Sequence, residues 1–312
     1  MKKKLNVIVL MGPTAIGKST IALQLYKQYP IEIVSVDSSM IYRDMNIGTD
    51  KPSLEILSSI KHHLIDIINP DELYNVNNFY NDVHLIIRDI HDRNKTPILV
   101  GGSMMYFNQL INGLSDMPNN SVSERKFIKH IIDTYSLNRI HDCLRDIDHD
   151  SFMRINKNDK QRIERSLEVY LQSGKPISSF FSNKTKLHEK YNLEIIRLYS
   201  DNRDIIHKNI ANRAKQMFKA GFIEEVIDIK NKYSLTKNSQ SMKSIGYRHT
   251  LCYLNNEITK KELEEKCIYA TRQLAKRQIT WMKKLPNGLE IDINNKSNKD
   301  MISLIDKYLH FS

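Results

Sequence analysis

The sequence predicts an α/β protein: a P-loop, three-layer core built on a parallel sheet and interrupted by a helical insertion. Three observations carry this prediction. A short apolar run over residues 5–11 leads straight into Gly12-Pro13-Thr14-Ala15-Ile16-Gly17-Lys18-Ser19 and then into an amphipathic stretch, the strand, loop and helix order of a phosphate-binding turn. Further short apolar or β-branched runs alternate with helical periodicity, as in sheets covered by helices on both faces. Between about residues 116 and 191 this rhythm stops, and the chain turns polar and helical with no convincing strand.

Taken in order, residues 5–11 form the first strand and 20–29 the first helix. Residues 31–36 are β-branched and end in Asp37-Ser38-Ser39, while 63–67 read as a short strand before Asn69-Pro70. Phe79, Val83, Ile86, Ile87 and Ile90 recur at helical spacing, and 97–100 form a strand that ends in Gly101-Gly102-Ser103. Strand character returns at 192–199, followed by charged helices at 203–220 and 260–284. The second of these carries one apolar stripe of Leu263, Cys267, Ala270, Leu274 and Trp281. Residues 288–293 add an edge strand and 299–309 a closing helix. The core therefore comprises residues 1–115 and 192–312, and the insertion 116–191. Ligands of such sheets sit beyond the carboxyl ends of the strands, where the glycine loop, Asp37 and Ser103 would converge.

Composition narrows the function. With 312 residues, 40% hydrophobic and 27% charged, the chain is long and apolar enough to bury a sizeable core, which argues against extended disorder. The formal charge of +11 makes an anionic partner worth considering, without choosing among them. Cys143, Cys252 and Cys267 form no C-x-x-C pair, so neither a zinc ribbon nor a disulfide framework is indicated, and a reducing cytoplasm is the simplest location. No apolar run reaches the roughly 18 residues of a membrane span. His62-His63 and the other histidines lack metal-ligand spacing and read as structural.

The glycine loop carries the sharpest signal. In G-x-x-x-x-G-K-S the glycines let successive backbone N–H groups point into one concavity, the helix N-terminus adds partial positive charge, and Lys18 supplies a full one. A di- or triphosphate fits there, with the Ser19 hydroxyl placed for a Mg2+ that the phosphates share. A GTPase would add a base-reading N-K-x-D; the nearest candidate, Asn94-Lys95-Thr96-Pro97, ends in proline and precedes a strand. A small-molecule kinase stays open, as does a non-catalytic RNA-binding P-loop protein. Asp37 reads as a general base beside the acceptor, as an outer metal ligand, or as a cap of the turn after it. Ser103 reads as a site hydroxyl or as a helix N-cap. Arg272 and Lys276 share a helical face with Arg277 and Lys284 on its flank, suited either to solvent or to phosphate and sugar contacts. Gln161-Arg162-Ile163-Glu164-Arg165 poses the same choice in the insertion, where Ile163, Leu167 and Tyr170 face a core.

Together these segments resemble the tRNA dimethylallyltransferase (tRNA isopentenyltransferase) family in its shorter bacterial form, from about Val9 to Trp281. The likeness rests on the P-loop, Ser35-Val36-Asp37-Ser38, Ile41-Tyr42 with Met45 and Ile47-Gly48-Thr49, and Lys51-Pro52. It continues through His63-Leu64-Ile65-Asp66, Val100-Gly101-Gly102, Gln161-Arg162 with Arg165 and Leu167-Glu168, Ser244-Ile245-Gly246-Tyr247, and Thr271-Arg272-Gln273-Leu274-Ala275-Lys276-Arg277-Gln278.

The resemblance implies that Gly12, Pro13, Thr14, Ala15, Ile16, Gly17, Lys18 and Ser19 hold the diphosphate of dimethylallyl diphosphate with Mg2+ on Ser19. It implies catalytic roles for Asp37 and Ser103, with Asp37 taking a proton from N6 of the adenosine that follows the anticodon. It assigns tRNA contacts to Asp37, Ser38, Ser39, Met40, Ser103, Arg125, Gln161, Arg162, Ile163, Glu164, Arg165, Arg272, Lys276 and Arg277, and the anticodon arm to the insertion. The expected enzyme is monomeric and cytoplasmic, with tRNA as its macromolecular partner, no membrane association and no obligate protein partner. Two departures stand out. Ser103 replaces the threonine usual after the double glycine, and Asn209 stands near where an arginine is expected, which shifts phosphate binding toward Arg213.

Overall fold

The computed structural model describes residues 4–115, 117–118, 122–181 and 186–309, and within them the side chains of all but 122–126 and 129. It divides into two compact units, Met1–Ile111 with Leu187–Ser312, and Asn112–Lys186.

The first unit begins with β1 (Asn6–Met11), α1 (Lys18–Gln28), β2 (Ile31–Val36), α2 (Leu54–Ser59), β3 (His62–His63), α3 (Val76–Asp92), β4 (Thr96–Gly101) and α4 (Met104–Asn112). Asn75 caps α3 in a full capping box with Asn78, which fixes where the amphipathic run begins. The third strand is shorter than the expected 63–67. Leu64 and Asp66 take positive φ of 62° and 55°, so the backbone turns away after two paired residues and meets the sheet again only as a single bridge between Tyr42 and Ile68.

The second unit holds α5 (Val122–Tyr135), α6 (Leu137–Ile147), α7 (His149–Arg154) and α8 (Lys160–Ser173), then a 3₁₀ turn at Ile177–Phe181. Its core is a small aliphatic cluster of Ile128, Ile132, Ile140, Leu144, Ile155, Ile163 and Leu167. Asp159 caps the start of α8 and Gly174, in the left-handed region, ends it.

The chain returns through α9 (Leu187–Lys190), β5 (Asn192–Tyr199), α10 (Arg203–Lys219), α11 (Phe222–Tyr233), α12 (Ile245–Leu254), α13 (Lys260–Met282), β6 (Leu289–Asp292) and α14 (Asn298–Leu309). All six strands are parallel, in the order β3-β2-β4-β1-β5-β6. Alternation along β1 assigns its residues to opposite faces. Val7, Val9 and Met11 pack with α3, α4, α11 and α12, whereas Ile8 and Leu10 pack with α1, α10, α13 and α14. On α13 the buried face is Leu263, Cys267, Ala275, Gln278 and Met282. The expected stripe is therefore corrected: Ala270, Leu274 and Trp281 are only half-buried, and a polar side chain, Gln278, sits where an apolar one was expected. Among the described residues no helix is long and apolar enough to cross a membrane.

Candidate functional site

Sheet order explains the site. β2, β4 and β1 are consecutive neighbours, so their carboxyl ends deliver Asp37, Gly102 with Ser103, and the glycine loop to one edge of the sheet. A cleft of about 840 Å3 opens there, lined among others by Thr14, Lys18, Ser19, Asp37, Arg213 and Gln278. Gly17 caps α1 with φ 97°, a conformation that side-chain-bearing residues rarely hold, and this turns the loop's N–H groups around the helix start.

The loop is braced from two helices. From α13, Gln278 accepts the Thr14 N–H at 2.8 Å and donates to the Gly102 carbonyl at 2.8 Å, joining the ends of β1 and β4. From α10, Arg213 Nη1 donates to Thr14 Oγ1 at 2.9 Å and Asn209 to the Ala15 carbonyl at 3.2 Å. Arg213 Nε also pairs with Asp50 at 3.3 Å. The Lys18 ammonium donates to the Pro13 carbonyl at 2.7 Å. Desolvation in the cleft pushes the Lys18 pKa down to about 8; Asp37 and Asp50 oppose this shift and Arg213 adds to it. The cationic groups of Lys18, Arg213 and Arg277 that line this cleft suit a phosphate-bearing ligand.

On the other wall, Asp37 Oδ1 accepts the N–H groups of Ser39 at 2.8 Å and Met40 at 3.2 Å. This is the turn cap, and it leaves Oδ2 with no hydrogen-bond partner among the described residues. One carboxylate therefore both shapes the loop and keeps a basic oxygen beside the cleft. Ser38 donates its N–H to Ser103 Oγ at 3.1 Å, and Ser39 Oγ shares a hydrogen bond with Ser244 Oγ at 2.9 Å. Ser103 thus supports the Asp37 loop from outside the cleft lining.

A metal would find no ready protein cage, since no cluster of three or more His, Cys, Asp or Glu suited to a metal occurs among the described residues. The carboxylates that line the cleft are Asp37 and Asp50, and Ser19 is one of several hydroxyl-bearing residues there. Two carboxylates and scattered hydroxyls fit Mg2+ as a phosphate-borne ion that keeps most of its water.

The basic segments divide. Arg277 lines the cleft, is exposed, and has no ion-pair or hydrogen-bond partner among the described residues. Lys276 is exposed beside it, while Arg272 is half-buried with its Nε out of water and unpaired. In the second unit, Gln161 and Arg162 are exposed, Arg162 touching only Asp159 at 3.3 Å, and Glu164 faces Lys160 at 3.8 Å. Two expectations there need correction. Ile163 is fully buried in the aliphatic cluster, so its side chain can only support a tRNA-facing helix and cannot touch tRNA. Arg165 is tied back to Glu168 at 3.2 Å and to the Pro118 carbonyl at 3.0 Å. The side chain of Arg125 lies outside the described residues.

Lys51, almost wholly enclosed, donates to the Tyr42 carbonyl and to Asp66, and so pins the loop that follows Met45. Neither Lys51 nor Gln278 was singled out as a site residue. For Gln278 the available signal was a polar side chain at a helix position whose neighbours one turn away, Ala275 and Met282, are buried.

The family model described as IPP transferase matches residues 40–285. The tRNA dimethylallyltransferase of Coxiella burnetii (strain RSA 493 / Nine Mile phase I) is 41% identical over 99% of this chain and 98% of its own length. The crystal structure of the full-length tRNA isopentenylpyrophosphate transferase of Bacillus halodurans superposes with a TM-score of 0.72 at 30% identity, covering 99% of this chain and 96% of that one. A eukaryotic dimethylallyltransferase acting on tRNA superposes with a TM-score of 0.80 at 26% identity, covering 97% and 78%. This chain is therefore a member of the IPP transferase family.

Proposed function

We propose that the chain is a tRNA dimethylallyltransferase, which moves the dimethylallyl group of dimethylallyl diphosphate to N6 of the adenosine 3′ to the anticodon and releases diphosphate. The observation that carries this reading is the pairing, across one cleft, of a phosphate loop with an aspartate whose Oδ2 is unengaged. N6 of adenine is a weak nucleophile, so the site must desolvate and aim it. As the new N–C bond forms, the bond from that carbon to the diphosphate oxygen breaks. Lys18 and the loop N–H groups receive the charge left on diphosphate, and Asp37 takes the proton from N6. Mg2+ held by the diphosphate and Ser19 would supply further charge neutralisation on the leaving group. The target base must leave the anticodon-loop stack to reach this cleft. Arg162, Lys276 and Arg277 have the exposure suited to the phosphates of the anticodon arm, and a cytoplasmic location follows from a tRNA substrate.

The test is to incubate the purified chain with unmodified tRNA and either dimethylallyl diphosphate or ATP. Prenylated adenosine together with released diphosphate, from the first donor only, is the expected result. Phosphate transfer from ATP with no prenylation would instead establish a kinase and end this reading.

A further inference from the structure

Glu225, on the first turn of α11, is among the most heavily engaged carboxylates in the first unit, and the chemistry above gives it no role. Its Oε2 accepts the N–H groups of Asn46 at 2.9 Å and Ile47 at 2.7 Å, and its Oε1 accepts the N–H of Gly48 at 3.2 Å and the hydroxyl of Tyr247 at 2.7 Å. Three successive backbone amides and a buried phenol thus converge on one anion, an arrangement that a neutral side chain of the same shape cannot reproduce. The loop also lies flat on the rings beneath it. A Cβ at Gly48 would fall 2.2 Å from the Phe222 ring and 2.7 Å from the Tyr247 ring.

Two chains of contact leave this anchor, one toward each wall of the cleft. Through the loop, Gly48 leads to Asp50, which pairs with Arg213 Nε at 3.3 Å; Arg213 in turn donates to Thr14 Oγ1 of the phosphate loop at 2.9 Å. Through Tyr247 on α12, the anchor reaches the helix N-cap residue Ser244, whose hydroxyl meets that of Ser39 at 2.9 Å, and Ser39 donates to Asp37 at 2.8 Å. We propose that Glu225 is a positioning residue, which holds the diphosphate side and the Asp37 side of the cleft in register through these two arms. The inference deepens the reading of the site as a tRNA prenyltransferase. It carries its own readout, because diphosphate binding does not require tRNA or turnover.

The experiment uses the full chain as parent, Glu225→Gln, Asp50→Asn, Tyr247→Phe and, as a control for plain destabilisation, Ile229→Val. Ile229 lies on the buried face of the same helix and, being apolar, makes none of the hydrogen bonds or ion pairs of either arm. Each is measured for melting temperature, for inorganic diphosphate binding by calorimetry, and for kcat and the two KM values. Glu225→Gln should weaken diphosphate binding and lower kcat, each by about tenfold, at temperatures where the variant is fully folded. Asp50→Asn should reproduce only the diphosphate defect, and Tyr247→Phe only the loss of kcat. Adding Asp50→Asn to Glu225→Gln should worsen diphosphate binding by less than the product of the separate effects, since both cut the same arm. Ile229→Val should lower the melting temperature alone. A Glu225→Gln protein that melts earlier but keeps diphosphate affinity, kcat and KM within about twofold of the parent would overturn the proposal. If that variant does not fold, normal constants in both Asp50→Asn and Tyr247→Phe overturn it equally. A parent that binds diphosphate but transfers no prenyl group would count against the function, and the diphosphate arm would still decide the anchor.

Discussion

Lys18 feels the field of Asp37, yet the proposed reaction gives the two opposite tasks, so they should fail differently. With its pKa lowered to about 8 by desolvation, Lys18 is cationic at neutral pH and loses its proton well below the usual lysine range of 10.5. A bound diphosphate favours the charged form, so binding takes up a proton wherever free Lys18 is neutral. Donor affinity should therefore be level below pH 8 and fall above it, by up to about tenfold per pH unit. The sign for stability is opposite. Between about pH 8 and 10.5 the unfolded chain holds the Lys18 proton that the folded chain has released, so this residue's contribution to stability rises with pH across that window. Calorimetric titration of diphosphate from pH 7 to 9.5 checks the binding limb, which Lys18→Met should flatten; a limb that survives the substitution belongs to another group. For Asp37, Asn keeps the turn-capping oxygen and removes the proton acceptor. Single-turnover prenylation by Asp37→Asn should drop by about 10²- to 10⁴-fold with little change in binding. A rate within a few-fold of the parent, or rescue by added Mg2+, would move Asp37 from base to positioning group or metal ligand.

Among the helices, α13 shows most clearly what could and could not be read from sequence. Its periodicity and extent were legible, because apolar residues one turn apart leave a pattern that survives without tertiary context. The identity of its buried face was not. Gln278 is 8% exposed because it clamps Thr14 and Gly102, a reason that exists only once β1 and β4 lie side by side. The same limit explains β3, whose apolar residues 63–67 resemble a strand until Leu64 and Asp66 adopt positive φ. It also explains α11 and α12, whose apolar residues Phe222, Val226, Tyr247 and Leu251 are buried against strands and helices distant along the chain. The strand, loop and helix order around residues 12–19 was legible, since that pattern is local. Asp37 and Ser103 were placed by the logic of strand ends, but that Asp37 Oδ1 caps the turn at Ser39 and Met40 while Ser103 Oγ accepts from Ser38 needed geometry. Gln278→Ala leaves a backbone N–H and a carbonyl without partners and should cost about 1–3 kcal/mol, read as a lower urea midpoint at unchanged slope. Diphosphate binding should weaken with it, because the Thr14 end of the loop is then unclamped. Full affinity in the destabilised variant would confine Gln278 to folding.

At the scale of the whole molecule the charge of +11 poses the question of where an anionic partner is gripped, and burial answers it better than counting cations does. Arg165 is committed to Glu168 and Pro118, and Lys51 is enclosed, so neither has charge to offer a phosphate. Arg162 in the second unit and Arg277 in the first are different: one has a single half-buried carboxylate neighbour, and the other has no partner among the described residues. Each is suited to one tRNA phosphate. Removing a phosphate contact releases one fewer group of counterions on binding, so the slope of log affinity against log salt should shrink by roughly 0.7 to 0.9 per contact. Arg162→Ala and Arg277→Ala should each flatten the slope by about that amount, with affinity lost most at low salt, and Arg165→Ala should instead lower thermal stability while leaving the slope unchanged. If one tRNA is held by both units at once, the double variant loses the sum of the two slopes, because distant and independent phosphate contacts add. If the units bind separate RNA molecules, a titration with a single anticodon stem-loop will show a slope sensitive to only one of the two arginines. Filter binding of unmodified tRNA and of the isolated stem-loop across a salt series distinguishes these outcomes, and an unchanged slope in both single variants would return both arginines to the solvated surface.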